Sequence, residues 1–321
     1  NYLDLAHHPE VVEAAAAAGR EYGCAAGGSR LINGNLEIPA ALESELADFL
    51  GTEAALVFSR GYMANIGVIP ALAGRGDLVI SAALSHASII DGCRLSHADV
   101  RVFPHGDLDC LEKELREAAS TRREVLVVVD GVYSMDGDVA PLAELVPLAK
   151  RWGATILVDD AHGTGTLGTT GRGSSELCGV DGDVDIVLGT LGKSLGSFGA
   201  FVAGSHALRD LLVNTARSFI FSCALAPPQV AAARAAPAVM RREPWRRERL
   251  AQNADHLRDG LAQRAISPAP STTPIPPLSV GHHDATVNPR RHLPDTGSAG
   301  QAYRDLATPE RTARQRPTSP G

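Results

Sequence analysis

The chain has 321 residues, of which 44% are hydrophobic and 21% charged, and its formal net charge is -7. This composition predicts a globular protein with a large core, and the acidic balance excludes a general attraction to nucleic acid or to anionic membranes. Five scattered cysteines without CxxC spacing indicate neither a disulfide framework nor a zinc site, and they favour a reducing cytoplasm. No apolar run reaches membrane-spanning length, and the first residues lack the layout of a signal peptide.

The first predicted elements are two helices separated by a glycine-rich stretch. Residues 8–20 carry an early proline and an Ala-rich body, which predict a helix, and residues 40–50 return to helical periodicity. Between them, residues 23–35 place Gly27, Gly28 and Gly34 around Arg30. That stretch suits a backbone folded close to a ligand or a neighbouring subunit, and it is equally typical of an ordinary loop.

The next strand, predicted at residues 54–58, is followed by a turn that leads directly into an apolar helix. Because the start of a helix offers free N–H groups to an anion, Gly61 and Tyr62 are candidates for holding a phosphate, although a plain helix start is the simpler interpretation. Further along, His86 lies between two serines at a strand-to-helix boundary. One histidine there is usually a cap or a packed ring.

Three later segments share one layout, a β-branched apolar run that leads into polar residues, and helical patterns separate them. The first ends at Ser134, the second at Asp159 and His162, and the third at Lys193. This alternation predicts a mainly parallel sheet flanked by helices, with the polar residues together beyond the strands' carboxyl ends. Asp160 is predicted to point to the opposite face from Asp159, because successive strand side chains alternate.

Lys193 follows a short predicted strand and lies among glycines and small hydroxyl residues. A solvated loop lysine is the simplest interpretation of one such residue. A Walker A loop is a second alternative, but it requires a glycine where this chain has Val187, so nucleotide binding is disfavoured.

The combined chemistry of these residues indicates pyridoxal 5'-phosphate (PLP). A lysine amine forms an imine with the PLP aldehyde, and a carboxylate facing the pyridine nitrogen keeps that nitrogen protonated. Lys193 and Asp159 supply these two groups. His162 and Ser134 are candidates for the surroundings of the 3-oxygen, and the His86 ring suits packing over the cofactor.

Seven motifs in order then resemble the α-oxoamine synthase family of fold-type I PLP enzymes. They are GGSRLINGN, SRGYMANIG, LSHASIIDGCRLS, GVYSMDGDVAPL, LVDDAHGTGTLG, GTLGKSLGSFGAFVAGS and SFIFSCALAPP. Departures include Arg60 where the family commonly has Ser or Thr, Pro39 where it usually has His, and Asp130 where it favours Glu.

The resemblance implies a role for each matching residue and a homodimer with the active site at the subunit interface. Lys193 is expected as the imine lysine, Asp159 as the pyridine partner and His86 as the stacked ring. His162 and Ser134 are expected beside the 3-oxygen. For the phosphate, the resemblance implies backbone groups of the two residues 61 and 62, with help from Thr190.

The implied reaction is decarboxylative condensation of an amino acid with an acyl thioester. The resemblance is strongest to the branch of the family that joins L-alanine to a pimeloyl thioester, on CoA or acyl carrier protein, in biotin synthesis. The alternatives are condensation of glycine with acetyl-CoA, and a non-catalytic dimer partner or decayed copy that keeps the fold and cofactor.

The last fifth of the sequence departs most from the family. We expect a large PLP-binding domain over residues 1–225 and a smaller, atypical and truncated domain over residues 226–321. Within it, residues 231–263 are helical in pattern, and a proline-rich stretch predicts poor order from about residue 267. Arg304 and Arg316 match the family's substrate-binding segment and are expected to bind the substrate. The run His282-His283-Asp284 is interpreted as an exposed polar turn, and no metal site is predicted.

Overall fold

The computed structural model describes residues 1–121, 124–263 and 270–278. In these residues, seven strands form one sheet in the order β1-β7-β6-β5-β4-β2-β3. The strands are β1 (Ala54–Phe58), β2 (Leu78–Ala82), β3 (Asp99–Phe103), β4 (Val125–Asp130), β5 (Thr155–Asp159), β6 (Ile186–Thr190) and β7 (Ala200–Gly204). Only β7 runs antiparallel to its two neighbours in the described sheet, so the predicted mainly parallel α/β architecture is confirmed.

Helices connect the strands and cover both faces of the sheet. They are α1 (Pro9–Tyr22), α2 (Glu37–Leu50), α3 (Gly61–Leu72), α4 (Ala87–Ser96), α5 (Leu108–Thr121), α6 (Leu142–Arg151), α7 (Ser174–Leu177), α8 (His206–Thr215), α9 (Arg217–Ile220), α10 (Pro227–Arg242) and α11 (Trp245–Ala262). The two helices predicted at residues 8–20 and 40–50 are α1 and α2. Pro9 occupies the first turn of α1, and Gly23 ends it with a φ of 82°, a left-handed conformation that favours glycine.

The core has three clusters that follow the alternation of side chains along the strands. In β4, Val127 and Val129 pack with α5 and α6, whereas Leu126 and Val128 pack with α3 and α4 on the other face. A third cluster joins α1, α2 and α10 to β1 and β7. All the strands except the edge strand β3 are therefore buried on both faces, which is why they form continuous apolar runs in the sequence.

One edge of the sheet collects the residues that the sequence singled out. Strand register pairs Asp130 at the end of β4 with Asp159 at the end of β5. On the other side of β6, Thr190 pairs with Ala200, and Ala200 pairs with Phe58 at the end of β1. Helix α3 begins three residues after Phe58, so its first turn starts at the same edge.

The helical pattern predicted over residues 231–263 is two helices rather than one. Helix α10 ends at Arg242 and α11 begins at Trp245. The break falls at Pro244, because proline has no N–H to donate and disfavours a helical conformation in the residue before it. Glu243 accordingly leaves the helical region, with a φ of -121° and a ψ of 59°.

The proline-rich stretch is described only in part, at residues 270–278, and that part docks on the turn after β4. The hydroxyls of Ser271 and Thr273 each donate to the Gly137 carbonyl at 2.6 Å, and Arg258 donates to the Thr273 carbonyl at 2.9 Å. Arg304, Arg316 and the run 282–284 lie outside the described residues. The domain boundary near residue 225 stays a prediction. Nowhere in the described chain is a helix long and apolar enough to cross a membrane.

Candidate active site

Lys193 is carried by a tight loop between β6 and β7. Leu191 and Leu195 are fully buried and anchor this loop, and the Ser197 N–H donates to the Leu191 carbonyl at 2.9 Å. Gly196 has a φ of +64°, and a Cβ there would lie 2.4 Å from the backbone nitrogen of Ala6. The burial of the two leucines and the contact with the N-terminal segment therefore fix the loop.

The amine of Lys193 contacts His162, which lies just beyond β5. Its Nζ is 2.8 Å from His162 Nε2, and the other ring nitrogen, Nδ1, is 2.7 Å from the Tyr2 hydroxyl. Burial is the main cause that lowers the pKa of His162 to about 3, so the ring is neutral near pH 7. A neutral imidazole can accept a hydrogen bond from the lysine amine.

The proton affinity of Lys193 is set by opposing effects. Burial lowers the pKa of the amine below its ordinary value. Three carboxylates oppose that shift, in decreasing order Asp159, Asp130 and Asp160. A half-buried amine with a lowered pKa is more often neutral than a surface lysine, and only the neutral amine is a nucleophile.

Asp159 is held by two donors and is almost fully buried. Asn65 Nδ2 donates to its Oδ2 at 2.7 Å, and the Ala161 N–H donates to its Oδ1 at 3.1 Å. Asn65 is fully buried in the second turn of α3. Helix α3 therefore fixes the orientation of the carboxylate.

The same asparagine connects Asp159 to His86. Asn65 Nδ2 also donates to Ser88 Oγ at 2.8 Å, and Ser88 Oγ lies 2.7 Å from His86 Nδ1. Since the serine oxygen accepts from the asparagine, its own proton is free to go to the histidine. His86 also caps α4 by accepting the Ser88 N–H, and burial lowers the pKa of its ring. The ring is thus oriented from α3 and α4 together.

Asp130 adds a second buried carboxylate beside Asp159. Its Oδ2 accepts the His86 backbone N–H at 3.0 Å, which ties the start of α4 to the end of β4. Burial, followed by the neighbouring charge of Asp159, raises the pKa of Asp130 well above its usual range. Asp130 therefore helps to position His86 and is a poor candidate for a second permanent negative charge.

The first turn of α3 is the candidate phosphate site. The Arg60 side chain at its N-cap makes no capping hydrogen bond, and the first turn carries no acidic residue. A Cβ added to Gly61 would lie 2.9 Å from the Thr190 methyl group, so the start of α3 lies against the end of β6. Free backbone N–H groups and the helix dipole favour an anion at this position.

A family model described as aminotransferase class I and II matches residues 1–321. The chain belongs to this family. Among curated relatives, the 8-amino-7-oxononanoate synthase of Geobacter sulfurreducens is 49% identical over 320 residues, which cover 99% of this chain and 82% of that protein. The enzyme of the same name from Alkalilimnicola ehrlichii is 47% identical over 319 residues, with 99% and 81% covered.

Solved structures of the family have the same fold. A serine palmitoyltransferase of S. paucimobilis, solved with a PLP–myriocin aldimine, superposes with a TM-score of 0.91 at 38% identity, over 96% of this chain and 78% of that one. The 8-amino-7-oxononanoate synthase of Francisella tularensis gives a TM-score of 0.78 at 25% identity, over 95% and 86%. The predicted fold-type I architecture is confirmed, and PLP is the cofactor of this aminotransferase-family chain.

The geometry fits that cofactor. A nucleophilic amine, a carboxylate held by two donors, an oriented imidazole and an uncapped helix start converge on one sheet edge. This set matches the aldehyde, pyridine nitrogen, ring face and phosphate of PLP. The Asn65 Oδ1 atom is buried and, among the described residues, has no hydrogen-bond partner. An unsatisfied polar atom in this position is typical of a site built for a ligand rather than for stability.

The structure brings most of the predicted site residues together. Lys193 and His162 are in contact, Asp159 and His86 share one hydrogen-bond network, and Thr190 lies against Gly61. The Tyr62 backbone lies in the first turn of α3, while its hydroxyl donates to Asp91.

The predicted positions of Asp160 and Ser134 have different outcomes. Asp160 does point away from Asp159, since its carboxylate accepts from Ser174 and Thr164 instead. Ser134 lies in the turn enclosed by the Val132–Val139 bridge, and its place beside the 3-oxygen stays a prediction.

Asn65 and Tyr2 are site residues that the sequence reasoning missed. Asn65 belongs to the motif SRGYMANIG, and the only available signal was an amide inside an otherwise apolar helix. The sequence around Tyr2 predicts only an aromatic core residue. Tyr2 does pack against the apolar cluster of α1, α2 and α10, but its hydroxyl reaches His162.

Proposed function

We propose that this chain catalyses the PLP-dependent decarboxylative condensation of L-alanine with a pimeloyl thioester, giving 8-amino-7-oxononanoate for biotin synthesis. The observation that carries the proposal is the convergence of Lys193, Asp159, His162 and His86 at one sheet edge, beside the start of α3. The relatives named 8-amino-7-oxononanoate synthase support the choice of reaction. When bound, PLP supplies an electron sink for negative charge that develops on the substrate α-carbon.

In this proposal Lys193 and Asp159 are catalytic residues. The Lys193 amine binds the cofactor covalently and afterwards removes and returns the proton at the alanine α-carbon. His162 supports this work by accepting a hydrogen bond from the amine. Asp159, fixed by Asn65 and the Ala161 N–H, holds a proton on the pyridine nitrogen.

The remaining candidate residues bind the cofactor and orient it. The N–H groups of Gly61 and Tyr62 hold the phosphate with Thr190 beside them, and the His86 ring packs over the pyridine. Ser134 and His162 are proposed neighbours of the 3-oxygen. His86 is assigned to the pyridine ring because a hydrogen-bond chain through Ser88 fixes the orientation of its imidazole.

We assign the alanine carboxylate to Arg316, with Arg304 as the second candidate, because a guanidinium binds a carboxylate through two parallel hydrogen bonds. Arg30, in the glycine-rich stretch between α1 and α2, could also bind a carboxylate, but its side chain is already engaged. Its two terminal nitrogens donate to Glu43 at 2.7 and 3.0 Å, and its Nε donates to Asn35 at 2.6 Å. That pairing makes Arg30 a structural cation and leaves the C-terminal arginines as the candidates.

A homodimer is part of the proposal. Ile32 is 83% exposed and Phe221 is 70% exposed. The bridge between Ser29 and Cys223 brings their two segments side by side. Large exposed apolar side chains grouped in this way are typical of a protein interface. Size-exclusion chromatography with light scattering should give twice the chain mass, and the double variant I32D/F221D should give the single mass.

A turnover assay tests the reaction. The purified chain with PLP is given L-alanine, glycine or L-serine, each with pimeloyl-CoA, pimeloyl-acyl carrier protein, acetyl-CoA or palmitoyl-CoA. Carbon dioxide release and product mass are measured. We expect the fastest turnover with alanine and a pimeloyl thioester, and none with the Lys193→Ala variant.

Three other outcomes of the assay would each favour a different function. Preference for serine and palmitoyl-CoA would favour the activity in the name of the structural neighbour with a TM-score of 0.91. Preference for glycine and acetyl-CoA would favour the other condensation. Absence of turnover with every pair, in protein that carries bound PLP, would contradict the proposal and favour a non-catalytic partner.

A further inference from the structure

The turn after β4 is held by the docked segment, residues 270–278 of the proline-rich stretch. Ser271 Oγ and Thr273 Oγ1 both donate to the Gly137 carbonyl, each at 2.6 Å. A carbonyl oxygen has two lone pairs, so this one segment uses both of them. Thr273 is only 1% exposed, so water has little access to replace its hydrogen bond.

The close fit at Gly137 shows that the turn and the docked segment are packed backbone against backbone. Gly137 has a φ of 68°, which favours glycine. A Cβ at this position would lie 2.0 Å from the Ile275 carbonyl oxygen and 2.8 Å from Ser271 Oγ. A side chain at position 137 would therefore displace the segment from the turn.

Hydrogen bonds within the docked segment fix the two hydroxyls. The Thr273 N–H donates to Ser271 Oγ at 3.2 Å, and the Ile275 N–H donates to Thr273 Oγ1 at 3.3 Å. Arg258 on α11 donates to the Thr273 carbonyl at 2.9 Å. Each hydroxyl oxygen thus accepts one N–H while its own proton goes to Gly137, and α11 holds the segment in place.

Ser134 lies inside the turn that the docked segment holds. The Gly137 N–H donates to the Tyr133 carbonyl at 2.7 Å, and the Tyr133 N–H donates to the Asp138 carbonyl at 3.0 Å, so the turn is closed around Ser134. On its other side, His105 Nε2 lies 2.6 Å from Asp138 Oδ2. A shift of Gly137 would therefore move Ser134, three positions earlier in the same closed turn.

We propose that Ser271 and Thr273 are positioning residues that hold this turn so that the Ser134 hydroxyl faces the 3-oxygen of bound PLP. The inference rests on the proposed place of Ser134, but it does not depend on which substrates are condensed. A hydrogen bond donated by Ser134 stabilises negative charge on the 3-oxygen. That charge is greatest when the Lys193 nitrogen bonded to the cofactor has lost its proton. Loss of the hydrogen bond should therefore raise the pH at which this nitrogen loses its proton.

The test compares the double variant Ser271→Ala/Thr273→Val with the control Ser120→Ala/Thr121→Val. The control also removes two hydroxyls that donate to backbone carbonyls, at 2.6 and 2.8 Å, but these lie at the end of α5. In the PLP-loaded chain, the pH dependence of the visible absorbance reports protonation of the lysine nitrogen that is bonded to the cofactor.

We expect the double variant to move this midpoint upward by about half a unit to one unit, as the loss of one hydrogen bond implies. The control should leave it where it is. Ser134→Ala should move it in the same direction by at least as much, and in that background the double variant should have no further effect. An unchanged midpoint in the double variant, an equal shift in the control, or an undiminished shift in the Ser134→Ala background would each overturn the proposal.

Other ionisable groups near the turn and near Lys193 are the same in every variant, so they do not cause a difference between midpoints. His105 and Asp138 contact each other on one side of the turn, and Arg258 is paired with Asp255 beside the docked segment. The groups that act on Lys193, or on which it acts, are Asp159, Asp130, Asp160, His162, His86 and the Asn1 amino group.

A measurement on the parent chain covers the case in which the double variant does not fold. Coupling between two sites is reciprocal, so if the docked segment positions Ser134 toward the 3-oxygen, bound PLP must also stabilise docking of the segment. Amide hydrogen exchange at residues 270–278 is followed by mass spectrometry with PLP and with 3-deoxypyridoxal 5'-phosphate, which lacks that oxygen.

Exchange should be about three- to tenfold slower with PLP than with the analogue, because half a unit to one unit of pKa is a coupling of that size. Equal exchange with the two compounds would overturn the inference. Failure of the condensation assay leaves the absorbance and exchange readouts intact, so the two proposals fail separately.

Discussion

Replacing Asn65 with alanine should weaken cofactor binding by about ten- to a hundredfold. The change removes the 2.7 Å hydrogen bond to Asp159 Oδ2 and the 2.8 Å hydrogen bond to Ser88 Oγ. A hydrogen bond to a charged group contributes about 1.5–3 kcal/mol, and each 1.4 kcal/mol corresponds to a factor of about ten in affinity. Of the two donors that hold Asp159 in the described structure, only the Ala161 N–H would remain, at 3.1 Å.

The effect on folding should be smaller than the effect on the site. Among the described residues, Asn65 Oδ1 is buried without a partner, so alanine also removes an unsatisfied atom whose burial is costly. The dissociation constant of PLP, measured by fluorescence or absorbance titration of the cofactor-free chain, is therefore the informative quantity. Thermal unfolding of the same samples checks that the variant is folded.

Asn214→Ala is the matched control. Asn214 is exposed on α8, and its Nδ2 donates to the Asp210 carbonyl at 2.7 Å, away from the site. This variant should bind PLP within about twofold of the parent, because exposed side-chain hydrogen bonds contribute little. The reasoning is refuted if Asn65→Ala binds PLP as tightly as Asn214→Ala does, since Asp159 would then need no support from α3.

Four further predictions concern the lysine, its carboxylates and the C-terminal arginine. Lys193→Ala should abolish the covalent adduct trapped by borohydride, whereas Lys113→Ala should keep it; peptide mapping that labels another lysine would refute the assignment. Asp159→Asn should keep PLP bound but slow exchange of the alanine α-proton at least about a hundredfold, because an amide cannot hold a proton on the pyridine nitrogen; an unchanged exchange rate by NMR would exclude this role. Burial raises the pKa of Asp160 to about 7, so the carboxyl ionises at lower pH in the unfolded chain than in the folded one, and the free energy of unfolding falls as pH rises from about 4 to 7. The difference in unfolding free energy between the parent and Asp160→Asn should change by up to about 4 kcal/mol in that window. Parallel pH profiles of the two proteins would contradict this. Arg316→Ala should weaken alanine binding about tenfold or more, while Arg314→Ala should not; equal binding in both variants would make Arg304 the next residue to test.

Most of the fold was predictable because each central strand is buried on both faces. Continuous apolar runs such as Val125–Asp130 and Ile186–Thr190 therefore carry a strong signal, and the polar residues at their carboxyl ends mark the site. The antiparallel β7 gave no comparable signal. Its direction depends on its partners β1 and β6, which local sequence does not specify.

The predicted site residues were those whose chemistry is recognisable from residue type and position after a strand. Asn65 was not predicted, because an asparagine within a helix does not by itself indicate a functional site. Its importance depends on the packing of α3 against the end of β5. Tyr2 was missed for a related reason. Its ring has the apolar contacts that the sequence indicates, while its hydroxyl lies 2.7 Å from Nδ1 of His162, 160 positions away in the chain.

Asp130, which stands where the resembled family favours Glu, shows how the fold constrains the chemistry of adjacent side chains. Parallel register between β4 and β5 puts Asp130 beside Asp159 on the same face of the sheet, so two carboxylates compete for one buried environment. The competition is resolved by different hydrogen bonds. Asp159 receives a side-chain donor from α3 and a backbone donor from its own loop, whereas the backbone N–H of His86 at the start of α4 donates to Asp130. The carboxylate with two donors is the better candidate for the permanent charge, and the one with the raised pKa is left to orient the histidine.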